Sequence, residues 1–354
     1  MKLNEISESD RALIEELRKA IRDELLLVPA YDDDFSLLRW IVGWDRKLGS
    51  LLGYDKQHNI ISIQAVGRLD ARSLLPCIRN SDLYILQIAE TEGVMNLIRK
   101  NEKLLGRQLG TLIIFDLDGI NLDKFSMPAM KMITTMLSQL QDMYPDVARK
   151  VFVINAPTFF RMIWGLISPH LSKHTQQKIE ILGIDWKEKL KEYIDEDVLY
   201  EHWGGKRKAE TPFGHIRMGG KVPESFRYDP SNDIPASKLE KLKISARSSN
   251  FVSVIMEGYN PNRKLSWWWR IESGDIDFSI IRSDNNSKNG NNNNHHYNDN
   301  DVVIWPKFRL QTPYVPESGK VLCTEPGVYK LVFDNKYSKF YNKVINYHFE
   351  ILNN

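Results

Sequence analysis

The residues best suited to chemistry in this chain end one apolar run, Ile113-Ile114-Phe115-Asp116-Leu117-Asp118-Gly119. A carboxylate at the end of a buried strand can attack a phosphoryl group. A second carboxylate two places on can then serve as general acid beside a magnesium ion. The bland reading is that Asp116 closes a strand and satisfies a turn. Other candidates are fewer still. The eight histidines are scattered, and no Ser-His-Asp or Cys-His constellation is legible. His295-His296 lies in a polar tract with no strand to fix its geometry, which argues against a metal site. Cys77 and Cys323 stand far apart in unlike contexts, so neither a disulfide framework nor a zinc site is expected. That usage suits the cytosol.

The Asp116/Asp118 pair resembles the first motif of haloacid-dehalogenase-like phosphatases, but the likeness ends there. Ile120 replaces the usual Thr, the motif stands far from the N-terminus, and no later buried strand ends in a paired Asp. Asp195-Glu196-Asp197 follows an amphipathic helix and reads as solvated. No catalytic residue, metal or cofactor is therefore expected, with the phosphatase as the alternative. The net charge of +2 and the lack of a basic stripe give no reason to expect nucleic acid. Lys206-Arg207-Lys208 reads as a solvated loop, with contact to an anionic membrane as its alternative.

The elements that would position these residues fall into two groups. Residues 8–27 are charged and amphipathic, with Leu13, Ile14, Leu17, Ile21 and Leu25 at helical spacing, unlike a signal peptide. Pro29 breaks that helix, and Phe35, Leu37, Leu38, Trp40 and Ile41 predict a short second one. From about residue 60 to 205 strands and helices alternate. The strands are Ile60–Ile63, Thr111–Phe115 and Val151–Ile154; the helices are Asp82–Lys100 and Met127–Met143, with Pro128 in the first turn of the latter. This order predicts a parallel sheet with crossover helices, and the near-continuous apolar strands predict burial on both faces. Beyond Gly204-Gly205, glycine and proline crowd a linker-like stretch over 211–240. Strands then dominate. Leu265, Trp267, Trp269 and Ile271 alternate with polar neighbours, and Ser273-Gly274 precedes Ile276, Phe278 and Ile280, which predicts a hairpin. Val328–Phe333 and Val344–Leu352 complete an antiparallel sandwich over 241–352. The Asn-rich tract 284–301 reads as a loop within it.

One segment has no ordinary place in such a core. Thr158–Leu171 reads TFFRMIWGLISPHL, and as a helix capped by Thr158 it is apolar on nearly every side, with Arg161 its sole formal charge. Such a helix is either wholly buried or faces something apolar besides its own core. The second case describes a gate between a bound lipid and a membrane. Exposing a methylene to water costs about 0.8 kcal/mol, so a two-chain lipid must be enclosed in transit and released only at a membrane.

Several pieces in series now resemble one family. They are Asp34-Phe35-Ser36-Leu37-Leu38-Arg39-Trp40, Leu69-Asp70-Ala71, Ile113–Asp116, Tyr144-Pro145-Asp146, Val153–Pro157, Lys178–Gly183 and Trp203-Gly204-Gly205. Further on come Val315–Gly319, Pro326–Tyr329 and Phe333–Ser338. Together they are similar to CRAL-TRIO lipid-binding proteins that carry a C-terminal GOLD domain. The resemblance implies a lipid-binding α/β bowl over 53–210 with a helical lid, then an all-β GOLD sandwich over 241–352, after an N-terminal helical region over 1–52. That region is short for the family, because Ile41–Leu52 leads straight to Gly53-Tyr54-Asp55. It implies one enclosed lipid, such as phosphatidylinositol, phosphatidylcholine, α-tocopherol or squalene. Leu112, Ile114, Phe152, Ile154, Phe159, Phe160, Ile163, Trp164 and Ile167 are expected at the pocket and lid. Members that carry phosphatidylinositol hold its headgroup with a carboxylate after Tyr-Pro and the lysine of the Lys-Ile-x-x-Leu-Gly run, here Asp146 and Lys178. The usual Lys-Pro-Phe of the lid is Ser168-Pro169-His170. The expected setting is cytoplasmic, with transient membrane contact and a protein partner on the GOLD domain near Golgi or secretory membranes. Lipid transfer is the leading reading. A trafficking scaffold that uses lipid as a structural ligand is the second.

Overall fold

The structure is a computed structural model and describes residues 8–20, 22, 50–121, 127–283 and 301–353. The short helix expected from Phe35 and the Asn-rich tract, save Asp301, lie outside the described residues. The chain forms two compact units. One holds residues 42–74 and 85–224; the other holds 1–41, 75–84 and 225–354.

Helix α1 (Glu8–Ala20) belongs to the second unit and buries Ile14 while leaving Leu13 exposed. The first unit is built on one five-stranded sheet, β1 (Ser50–Tyr54), β2 (Ile60–Gln64), β3 (Thr111–Asp116), β4 (Ala148–Ile154) and β5 (Ile179–Ile181), in spatial order β1-β2-β3-β4-β5. The β1–β2 pair is antiparallel and the others are parallel, so every step after β2 needs a crossover. After the single-turn α2 (Ala71–Leu74), helix α3 (Asn80–Leu105) leads from β2 to β3 and α4 (Met127–Met143) from β3 to β4. The β4–β5 crossover is the apolar segment, which forms α5 (Phe160–Ile167), a 3₁₀ turn at Ser168–His170 and α6 (Lys173–Gln177). Helix α7 (Trp186–Tyr193) follows β5.

The apolar helix is shorter than expected, and Thr158 does not cap it. Phe159 takes the cap position, and the Phe160 amide donates to the Pro157 carbonyl at 2.9 Å. The tight turn explains this: Asn155 adopts a φ of 55° as the chain leaves β4, and Pro157 follows two residues on. Pro169 then ends the helix by lacking an amide to continue it.

The Trp203-Gly204-Gly205 run has a local explanation. Trp203 is fully buried, and Gly204 closes a 3₁₀ turn with a φ of 83°, a left-handed conformation that favours glycine. A β-carbon on Gly205 would overlap the Leu199 backbone. The stretch expected as a linker is in part core, since Ile216 joins this cluster and Phe213 and Met218 pack against it.

The second unit contains two four-stranded antiparallel sheets. Their strands are β6 (Glu240–Ile244), β7 (Ser249–Met256), β8 (Lys264–Ile271), β9 (Ile276–Ser283), β10 (Val302–Leu310), β11 (Glu317–Leu322), β12 (Gly327–Asp334) and β13 (Lys343–Leu352). One sheet runs β10-β9-β12-β7 and the other β11-β8-β13-β6. Trp269 of β8 meets Phe278 of β9 and Phe333 of β12, with ring centroids at 5.2 and 5.5 Å, so these aromatics join the sheets face to face. The hairpin expected at Ser273-Gly274 is not formed. Strand β8 pairs with β11 and β13, while β9 pairs with β10 and β12. The turn therefore crosses between sheets. Alternation on both strands fits this as well as it fits a hairpin, because each strand turns its apolar side to the same core.

Candidate lipid-binding site

Successive strand residues point to opposite faces of a sheet, so parity decides which residues of the first unit share a face. Ile61, Ile63, Leu112, Ile114, Phe152 and Ile154 share one face and are at most 1% exposed. They pack on Leu190 of α7 and on Leu199 and Trp203, with no accessible space. The other face carries Ser62, Gln64, Ile113, Phe115 and Val153. Helix α3 packs on it through Ile98 against Ile60, and α4 through Met130 in a cluster with Leu117 and Val153. Helix α5 adds Phe160 and Ile163 to the same cluster, with Phe159, Trp164 and Ile167 half-buried around it.

This corrects half of the expected lining. Phe159, Phe160, Ile163, Trp164 and Ile167 lie on or at the start of α5, on the open-sided face of the sheet. Leu112, Ile114, Phe152 and Ile154 belong to the solid core behind the sheet. The strand residues turned toward α5 are their neighbours, which the expected lining left out. A run apolar on both faces has no alternation to tell the faces apart. The usable signal was weak: Ser62 and Gln64 mark one face of β2 as the less dry one, and register carries that mark to Ile113 and Phe115.

The two faces differ in packing. Ile113 and Phe115 lie on the central strand of the sheet yet remain half-buried, as do Ser62 and Gln64, whose amide donates to the Ser62 hydroxyl at 3.0 Å. A central strand covered by three helices would ordinarily have both faces closed. The outer side of α5 exposes Met162 and Leu166, at 57% and 55%. Trp164 is not on that side.

The sheet ends carry the polar groups. At the C-terminal end of β3, Asp116 is 2% exposed and both its oxygens are occupied. Oδ1 accepts from Asn155 Nδ2 at 2.8 Å and from the Asp118 amide at 3.0 Å; Oδ2 accepts from Trp203 Nε1 at 3.1 Å, with His202 Nε2 at 3.6 Å. Burial alone would raise its pKa, but hydrogen bonds from His202, Asn155, the Asp118 amide and Trp203 together hold it below the usual value. Asp118 points elsewhere, into an ion pair with Arg68 at 2.9 Å. Asp116 is thus a tie between β3, the end of β4 and the Trp203 turn, with both oxygens accepting hydrogen bonds.

At the opposite end, Asp146 and Lys178 meet just before β4 and β5. Lys178 Nζ donates to Asp146 Oδ1 and to the Ala148 carbonyl at 2.7 Å. His174 and Arg149 also reach the Asp146 carboxylate, both at 3.1 Å. The hydrogen bond from Lys178, then that from His174, holds the Asp146 pKa down at about 2. Asp146 has a φ of 61°, which a short polar side chain tolerates. Among the described residues no cluster of His, Cys, Asp or Glu is placed to hold a metal ion, and no helix is long and apolar enough to cross a membrane.

Residues 45–205, which span the sheet, its crossovers and α5, match the CRAL/TRIO domain family. The chain carries a CRAL/TRIO domain. It is 28% identical over 312 residues to Protein ctg-1 of Caenorhabditis elegans, covering 85% of this chain and 77% of that protein. A CRAL-TRIO domain-containing protein of the same organism is 23% identical over 388 residues, covering 94% of this chain and 88% of its own length. The crystal structure of Sfh5 aligns with 60% of this chain and 91% of its own, at 17% identity and a TM-score of 0.39. A CRAL/TRIO domain implies lipid binding.

Proposed function

We propose that this protein encloses one lipid between the lid-side face of its sheet and helix α5, and exchanges it at membranes. One observation supports this above the rest: Ile113 and Phe115 on the central strand stay partly accessible, while Leu112 and Ile114 beside them are fully buried. Apolar side chains left open inside a folded unit cost free energy that an apolar ligand recovers. The Asp146 cluster favours a phospholipid over a wholly apolar ligand. Its formal charges are Lys178, Arg149 and Asp146, one positive charge in excess, which suits a phosphate. Lys178 would meet the phosphate and Asp146 the headgroup hydroxyls.

Organic extraction of the purified full chain followed by mass spectrometry tests this. A stoichiometric lipid is expected, together with lipid transfer between vesicles. Ile113→Trp should fill the space, lower occupancy and leave the fold intact, whereas Leu112→Trp should disrupt the closed core. Extraction without lipid, or full occupancy in Ile113→Trp, would refute the reading. Bound lipid without transfer would leave a scaffold that holds lipid as a structural ligand.

A further inference from the structure

Two loops of the β-sandwich unit meet at one of its ends: residues 245–248 between β6 and β7, and 335–342 between β12 and β13. They are locked together. Asn335 is fully buried; its amide donates to the Ser248 carbonyl at 2.9 Å, and its Nδ2 reaches the carbonyls of Ser245 and Tyr341 at 3.1 and 2.9 Å. The Arg247 amide donates to the Ser338 carbonyl at 3.0 Å, and the Ala246 amide to Asn342 Oδ1 at 3.0 Å. From below, the Tyr337 hydroxyl bonds Asp275 Oδ1 at 2.7 Å while the Arg309 guanidinium lies 3.6 Å over its ring.

This framework leaves two large aromatics outside. Phe340 is 80% exposed and Tyr341 73%. A loop this well tied could have turned at least one of them inward. The charges around them share one sign. Arg247, Lys336 and Lys339 are exposed on the same two loops, and residues 245–249 and 335–343 contain no acidic side chain. Two carboxylates beside the loops already have partners: Asp275 accepts from the Tyr337 hydroxyl, and Asp334 accepts from the Lys336 amide at 2.8 Å and pairs with Lys307 at 3.7 Å.

We propose that this tip docks on an anionic lipid bilayer, with Phe340 and Tyr341 entering the interface and Arg247, Lys336 and Lys339 resting on lipid phosphates. Exposed aromatics ringed by cations suit the interfacial zone, where apolar rings and basic side chains are both stabilised. A protein groove would also accept the aromatics, but it would have to offer carboxylates to three separated cations. An anionic membrane offers negative charge everywhere on its surface.

The test is co-sedimentation of the full chain with phosphatidylcholine vesicles and with mixed phosphatidylserine/phosphatidylcholine vesicles. Binding is expected to favour the mixed vesicles and to weaken with salt. Phe340→Ser/Tyr341→Ser should lower the partition coefficient roughly tenfold or more. Arg247→Gln/Lys339→Gln, which keeps both aromatics, should lower it about fivefold per charge on mixed vesicles only. Circular dichroism confirms the fold of each variant. Equal binding to both vesicle types, no binding, or parent-like binding by both variants would overturn the proposal. So would loss of membrane binding only when the lid residues Met162 and Leu166 are changed, a result that would leave the lipid-carrier reading standing.

Discussion

Replacing Met162 and Leu166 by serine would separate the membrane docking proposed for α5 from folding. Both side chains are slightly more than half exposed, so each has about half its apolar surface still to bury in a bilayer. Full burial of such a side chain is worth about 1.5–3 kcal/mol, so the two half-exposed side chains together should contribute roughly 1.5–3 kcal/mol to docking, or about 13- to 150-fold in partition. The folded state loses little, because exposed substitutions usually stay within about 0.5 kcal/mol each. The assay is vesicle-to-vesicle lipid transfer beside thermal unfolding. Met162→Ser/Leu166→Ser should slow transfer by that factor with Tm nearly unchanged. Ile163→Ser, on the buried side, should lower Tm instead. Transfer within twofold of the parent would refute α5 as the membrane-facing gate. Trp164 is a poorer probe, because it is half-buried in the same cluster and its loss would confound packing with docking.

Asp116→Ala should destabilise the CRAL/TRIO domain by about 3–5 kcal/mol in urea unfolding, since Asn155, Trp203 and the Asp118 amide all lose an acceptor; parent-like stability would deny the tie. Glu317 of the sandwich unit is buried, and burial pushes its carboxyl up to about 7 against hydrogen bonds from Ser81, at 3.0 Å from the amide and 2.5 Å from the hydroxyl. The folded state therefore holds this proton where the unfolded chain releases it near pH 4.5. Its contribution is whole below that pH and fades as pH rises to about 7, by at most about 3 kcal/mol. Glu317→Gln should flatten that stretch of the stability–pH curve, and an unaltered curve would exclude the assignment. Gly205→Ala should cost roughly 2–4 kcal/mol because the backbone at Leu199 must yield, and wild-type Tm would contradict the overlap.

Much of the fold was legible in the chain. Apolar runs of strand length alternating with amphipathic helices left few topologies besides a parallel sheet with crossovers, and α4 begins and ends where its pattern says. The apolar segment over 158–171 announced itself, because its composition leaves no polar side for water. The pairing of Asp146 with Lys178 came through family resemblance alone, and the two residues do meet.

What composition and periodicity could not supply was the choice between equivalent faces. Leu112 and Ile113 are alike as residues, and only the packing of α7 on one side and α5 on the other makes the first solid core and the second a candidate floor. The turn at Ser273-Gly274 is the same kind of case, since a strand's alternation records that it has an inside but not which neighbour shares its sheet. Asp116 too took its structural role from tertiary contacts, through hydrogen-bond partners 39 and 87 residues away. The sequence by itself determined the elements and which of them must be dry, because local propensity and hydrophobicity act on neighbouring residues. Which dry surface closes on itself and which stays open was decided only when distant segments packed.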